Sequence, residues 1–372
     1  MRRREFIGKS SALLGGLLIA TRSQAAPCPP ILGSSGPTAC GGRTLAEVAS
    51  NLSAGQSVDF VSGRNPLTVH NPEISWQNVA VFYDPTRREI QYAGKPQSGK
   101  SLDFSHYIFD EASNLWRTTG QNLFPGNGHI WVAAFDPETG DYFFHRQSES
   151  SIRWMRRSGE TWFSTSSQQG LLGQSNNTIT ALVYHPNLFG SGDGGLIAQS
   201  PNNIFAWRRT SNSWSTLASG SYGKGGQGIY LPWNDTALFG GGDFNGFKGA
   251  FYRISAGAAG SPSKSIADLG VNTPITVGSA GGSTAIGKIV IDPVRANRLL
   301  LLETFGSERV WASANNGDSW QSTGIRHPFA NLAGYGYNGY TANSIPEYGV
   351  VFGLTSNTSL EKATFRLWKP NI

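Results

Sequence analysis

The stretch Val79-Ala-Val-Phe-Tyr-Asp-Pro85 is a short apolar strand that stops at a proline turn. The pattern returns as Val132-Ala-Ala-Phe-Asp-Pro137, Ala181-Leu-Val-Tyr-His-Pro186 and Gly228-Ile-Tyr-Leu-Pro232. It appears twice more, as Ile289-Val-Ile-Asp-Pro293 and Ala342-Asn-Ser-Ile-Pro346. The six prolines lie 46 to 61 residues apart. A second apolar run follows each: Ile90–Tyr92, Tyr142–Phe144, Leu196–Ala198, Ala237–Phe239, Leu299–Leu302 and Val350–Phe352. A third strand carries an aromatic: Tyr107–Phe109, Ile152–Trp154, Phe205–Trp207, Phe251–Tyr252, Val310–Trp311 and Phe365–Trp368. A polar turn then leads to a fourth strand opening on Trp116, Trp162, Trp214 or Trp320. The fourth repeat departs from this, with a Gly/Ala/Ser-rich insertion from Ala256 to Ser265.

Four short strands per period predict an all-β, six-bladed β-propeller of four-stranded antiparallel blades; seven blades is the alternative. A lone blade cannot bury both faces, so neighbours must stack, and the Trp positions are the expected packing points between blades. The sixth repeat ends at its third strand, Phe365–Trp368. Thr44–Leu52 predicts a short helix and Gln56–Phe60 a strand, and that strand is expected to pair with Phe365–Trp368 and close the ring. An unpaired edge would otherwise invite aggregation.

The Pro turn, the aromatic third strand and the polar turn before Trp resemble kelch-type propellers, such as the central domain of galactose oxidase. The Gly pair typical of kelch repeats is mostly missing; Gly240-Gly-Gly242 is the nearest match. Ser313-Ala-Asn-Asn-Gly-Asp-Ser-Trp320 is similar to the Asp-box turn of sialidase-like propellers, which is structural. Fold alone does not assign function.

The N-terminus, Met1-Arg-Arg-Arg-Glu-Phe-Ile7, resembles a twin-arginine export motif. A modest apolar stretch from Ala12 to Ala20 follows, and Ser23-Gln24-Ala25 offers a cleavage site. The apolar run is far short of the roughly 20 residues that span a bilayer. The expected organisation is a signal peptide at 1–25, a disulfide-containing segment at 26–43 and the propeller at 44–372, exported to the periplasm or beyond. Cys28 and Cys40 are the only two cysteines, and an oxidising compartment favours a bond between them.

The formal charge is +6, but residues 1–25 hold five basic residues against Glu5, so four of those six charges belong to the tag. No Lys/Arg stripe follows, which argues against nucleic-acid binding. A monomer without a membrane span is expected.

Asp84, Asp136, His185 and Asp292 precede the Pro turns and read as turn formers. Candidate ligand residues lie at the other end of the blades. His129, Asn176, Asn177, Gln227, Lys288 and Tyr340 enter the first strands. Lys100, His145, Arg146, Asn203, Asp243, Asn245, Glu303 and Glu308 fall between second and third strands. From these, His129, His145, Gln227, Asn245 and Tyr340 are taken as the binding set. Asp243 and Glu303 sit in equivalent loops of adjacent blades and are the candidate pair of catalytic carboxylates. The galactose-oxidase copper site needs a Tyr–Cys crosslink, and no Cys lies beyond Cys40. No motif calls for a cofactor or metal. The leading expectation is a propeller that binds a glycan or protein partner through its central funnel face. The alternatives are a glycan hydrolase or lyase, and a structural module of an envelope or secreted assembly.

Overall fold

The computed structural model describes residues 44–60, 80–94, 105–119, 130–146, 149–171, 181–220, 222, 226–241, 250–255, 266–272, 288–302, 308–329, 342–356 and 363–372. All belong to the compact unit of residues 41–372. The chain enters through α1 (Leu45–Ser50) and β1 (Ser57–Asp59). Thr44 caps α1: its hydroxyl accepts the Glu47 N–H at 3.2 Å, and the Glu47 carboxylate accepts the Thr44 N–H at 2.8 Å. This reciprocal pair satisfies two donors that a helix start leaves open.

Six four-stranded antiparallel sheets follow. Blade I holds β2 (Ala80–Asp84), β3 (Glu89–Gly94), β4 (Ser105–Asp110) and β5 (Leu115–Thr118). Blade II holds β6 (Ile130–Phe135), β7 (Tyr142–Arg146), β8 (Ile152–Arg156) and β9 (Thr161–Ser164). Blade III holds β10 (Ala181–His185), β11 (Gly195–Gln199), β12 (Asn203–Arg208) and β13 (Ser213–Ser219). Blade IV holds β14 (Gly226–Leu231), β15 (Thr236–Gly241), β16 (Ala250–Ser255) and β17 (Ile266–Asn272). Blade V holds β18 (Lys288–Ile291), β19 (Leu299–Leu302), β20 (Arg309–Ser313) and β21 (Gln321–Arg326). Blade VI holds β22 (Ala342–Ile345), β23 (Val350–Ser356) and β24 (Ala363–Trp368), completed by β1.

The expected closure is present. Ser57, Val58 and Asp59 face Trp368, Leu367 and Arg366 across an antiparallel ladder. The ladder extends at both ends, through Phe60 N–H to the Phe365 carbonyl at 2.8 Å and Lys369 N–H to the Gln56 carbonyl at 3.0 Å. Phe60 is buried and meets Phe109 of blade I edge-on at 5.4 Å and Phe352 of blade VI at 6.3 Å. The chain's entry segment therefore fills the seam between the last blade and the first.

Six buried apolar clusters occupy the six blade-to-blade interfaces. Strand β19 shows why the sequence runs apolar without alternation. Leu299 and Leu301 pack towards blade IV, while Leu300 and Leu302 pack towards blade VI. A strand buried on both faces needs apolar residues at every position. The tryptophans bridge blades as expected. Trp116 of blade I stacks on Phe365 of blade VI at 4.8 Å, and Trp320 of blade V meets Phe251 of blade IV at 5.6 Å. The Trp214 indole of blade III donates to the Ser166 carbonyl beyond blade II at 2.9 Å.

The Asp-Pro turns are built by their acids. Asp84 Oδ1 accepts the N–H groups of Thr86 and Arg87 at 2.9 and 3.0 Å. Asp292 Oδ1 does the same for Val294 and Arg295 at 2.8 and 3.1 Å. In blade III a neutral histidine replaces the acid. His185 Nδ1 accepts the Asn187 N–H at 3.1 Å, so Nε2 donates to the Asp235 carbonyl at 3.1 Å. Burial pulls the His185 pKa down and keeps that tautomer uncharged.

Candidate functional site

The first strand of each blade is the innermost, so β2, β6, β10, β14, β18 and β22 together surround the ring axis. They enclose a cavity of about 290 Å³, lined from all six blades. This lies at the small end of the range for ligand pockets. The cavity extends to the end where the strands exit, bounded there by Pro85, Pro137, Pro232 and Pro346. The sequence reading assigned that end to structural turns alone, yet the turns also rim an opening to the axis.

The walls are mainly apolar and aromatic. Phe82 of β2 and Phe135 of β6 stack at 5.6 Å with ring planes 12° apart, both half-buried and facing the cavity. Ile229 and Ile291 add aliphatic surface. The polar lining groups are mostly engaged. The Tyr230 hydroxyl donates to Asp235 Oδ1 at 2.7 Å, and Tyr184 accepts from Arg209 at 3.3 Å. Asn343 donates to the Val81 carbonyl at 3.4 Å and accepts the Ser344 N–H at 2.9 Å. Burial raises the Tyr83, Tyr184 and Tyr230 pKa values above the ordinary tyrosine range, so all three stay neutral.

Lys288, the first residue of β18, is the charged group of this lining. Its ammonium lies 5.8 Å from the centroid of the Phe82 ring, within reach of a cation–π contact. Among the described residues it has no ion-pair or hydrogen-bond partner. Burial lowers its pKa to about 8.

Of the residues taken from sequence as a binding set, His145 is the one whose side chain is described. It is fully buried at the end of β7, with Nε2 2.9 Å from the Glu149 carbonyl, and burial lowers its pKa to about 4. Gln227 lies in β14, paired with Gly240, without a described side chain. His129, Asn245, Tyr340, Asp243, Glu303, Cys28 and Cys40 lie outside the described residues. Lys288 was one of many residues entering a first strand, and the structure separates it from the rest. The sequence reading missed Phe82, Phe135 and Tyr230 as lining residues. The repeat held a signal, since each stands two or three residues before its blade's proline.

Among the described residues no group of three His, Cys, Asp or Glu is placed to hold a metal ion. No described helix is long and apolar enough to cross a membrane. No protein-family model matches the chain. No curated protein matches it either. Solved structures share its fold. An auxiliary nutrient binding protein from Bacteroides ovatus superposes with a TM-score of 0.52 at 11% identity, over 85% of this chain and 76% of that one. An auxiliary nutrient binding protein from Bacteroides thetaiotaomicron gives 0.51 at 10% identity, over 84% and 75%. The SapL1 lectin, solved with alpha methyl fucoside, gives 0.50 at 12% identity, over 80% and 94%. At such identities the likeness is one of fold: the chain is a six-bladed β-propeller with an aromatic-walled axial cavity.

Proposed function

We propose that this chain is an exported binding protein that takes a glycan at its central cavity. The observation that carries this reading is the wall itself. Stacked Phe82 and Phe135 present ring surface to a cavity of about 290 Å³, room for a sugar-sized group and too little for a protein segment of any length. Aromatic faces suit the C–H faces of a sugar ring, because both are apolar and flat. A hydrolase needs paired carboxylates at the bond it breaks. The polar groups of the described cavity lining are tyrosines, an asparagine, a serine and a lysine, with no carboxylate among them. Lectin and nutrient-binding neighbours of the same fold are consistent with a binding role.

The export part of the reading rests on the Arg3-Arg4 motif and the Ser23–Ala25 cleavage site, and the kelch-type resemblance on the repeat pattern. In this reading Cys28 and Cys40 are bonded after export. A glycan-array screen of the purified chain tests the binding function. Binding is expected on a defined set of glycans and is expected to fall sharply in Phe82→Ala. An array with no glycan retained above background would remove the reading. Replacing Arg3 and Arg4 by Lys is expected to stop export, and normal export of that variant would point to the general secretory route.

A further inference from the structure

We propose that the ligand of the central cavity carries a carboxylate, and that this carboxylate pairs with the Lys288 ammonium. The inference rests on the glycan reading and narrows it to acidic sugars.

Three observations support it. First, an ammonium inside an apolar wall is costly unless something neutralises it. Lys288 has no carboxylate, carbonyl or hydroxyl partner among the described residues; its neighbour is the face of Phe82 at 5.8 Å. A ring face compensates only part of the lost hydration. An incoming anion completes what the fold leaves open. Second, most other polar lining groups are already engaged; the exception is the neutral Tyr83 hydroxyl, buried and without a partner among the described residues, which brings no charge to an anion. Tyr230, Asn343 and Ser344 are held by Asp235, the Val81 carbonyl and the Ile291 carbonyl. Third, the charge is single. One ammonium supplies three N–H donors and one positive charge, which matches a carboxylate. A phosphate dianion would bring a second charge that no described lining residue meets. The body of the ligand then lies against Phe82, Phe135 and the aliphatic walls.

The pairing sets a pH dependence. Lys288 is half-buried, and the partial loss of water around its ammonium lowers its pKa to about 8. The other titratable groups that line the cavity are Tyr83, Tyr184 and Tyr230, all raised above the ordinary tyrosine range. Between pH 6.5 and 9.5 Lys288 is therefore the described lining group that changes charge. Above its pKa the ligand must bind a protonated minority, so affinity falls by up to about tenfold per pH unit.

Titration calorimetry of the purified chain tests the proposal. The ligands are glucuronate and galacturonate, their neutral counterparts glucose and galactose, and cyclohexanecarboxylate as a non-sugar acid. The proteins are the native chain, Lys288→Met and Lys288→Arg, each first checked for an intact melting transition. The expected result is that an acidic sugar binds at least about tenfold more tightly than its neutral counterpart. That preference is expected to vanish in Lys288→Met, survive in Lys288→Arg, and decline from pH 7 to pH 9. Equal binding of acid and neutral sugar, unchanged in Lys288→Met, would overturn the carboxylate inference and leave the glycan reading standing. Lys288-dependent binding of cyclohexanecarboxylate without any sugar would uphold the carboxylate and remove the glycan. No binding by any of the acids would overturn the inference.

Discussion

The Lys288 ammonium of blade V lies 5.8 Å from the centroid of the Phe82 ring of blade I, with blade VI between the two blades that carry them. Neither residue is near the other in sequence, and only closure of the ring brings them to one cavity. The contact leaves the lysine partly compensated, which has a consequence for stability. Its pKa is about 8 in the fold against 10.5 in an unfolded chain. Below pH 8 it is charged in both states, and the folded state carries the desolvation cost. Between pH 8 and 10.5 the folded state sheds its proton first, so the cost is relieved as pH rises. Lys288→Met is expected to stabilise the ligand-free protein at pH 7 by about 2 kcal/mol, and the gain should shrink above pH 8. Urea unfolding at pH 7 and 9.5 measures both. A destabilised variant at pH 7 would mean that the ammonium is better compensated than the structure shows.

Acid sensitivity is expected to come largely from His106. It is fully buried between Tyr142 and Trp162, with ring centroids at 5.0 and 5.7 Å, and neither ring nitrogen has a hydrogen-bond partner among the described residues. Burial, with Arg117 and Arg157 adding to it, lowers its pKa to about 3 from 6.5. The unfolded chain thus takes up a proton between pH 6.5 and 3 that the folded chain refuses. Stability falls as pH drops through that window, by up to about 1.4 kcal/mol per unit from this residue. His145 and His185 act in the same direction. His106→Phe should leave stability near pH 7 within about 1 kcal/mol and flatten the fall between pH 6.5 and 4. An unchanged acid slope in chemical denaturation would clear His106 of this role.

Ring closure depends on Phe60. Its side chain touches both the first and the last blade, and truncation would leave a void at the seam. Phe60→Ala is expected to cost about 3–4 kcal/mol. Because the seam joins the two chain ends, the loss should appear in the main unfolding transition. A separate early transition, with the main melting temperature unchanged, would show that blade VI closes without its N-terminal strand.

Arg209 follows the third strand of blade III and reaches two acids of blade II. It pairs with Asp136 at 3.0 Å and with Asp141, and both carboxylates are buried. Arg209→Met would strand two buried charges and should cost about 3 kcal/mol or more. Arg366 makes a useful contrast. Its partner Asp59 is well exposed on the closing strand, so Arg366→Met should cost less than about 1 kcal/mol. Equal losses from the two variants in parallel urea titrations would contradict this assignment of burial.

Much of this protein could be read from local pattern. The proline period predicted six blades, with seven as the alternative, and apolar runs such as Leu299–Leu302 could be read as strands. Asp84 and Asp292 could be read as turn formers because their partners lie two and three residues ahead. Gln56–Phe60 could be read as the closing strand because the last repeat lacked one. These are short-range or counting arguments, and a sequence carries them directly. The cavity was not legible in the same way. Lys288 looked like one polar residue among several at strand entries, and Phe82 like one apolar residue in a strand. What sets them apart is a distance across the ring axis, together with the lack of a carboxylate partner among the described residues. Both depend on how six blades, folded from segments hundreds of residues apart, place their inner strands. Burial sets the charge behaviour of Lys288, and burial belongs to the closed ring; no stretch of the chain possesses it alone.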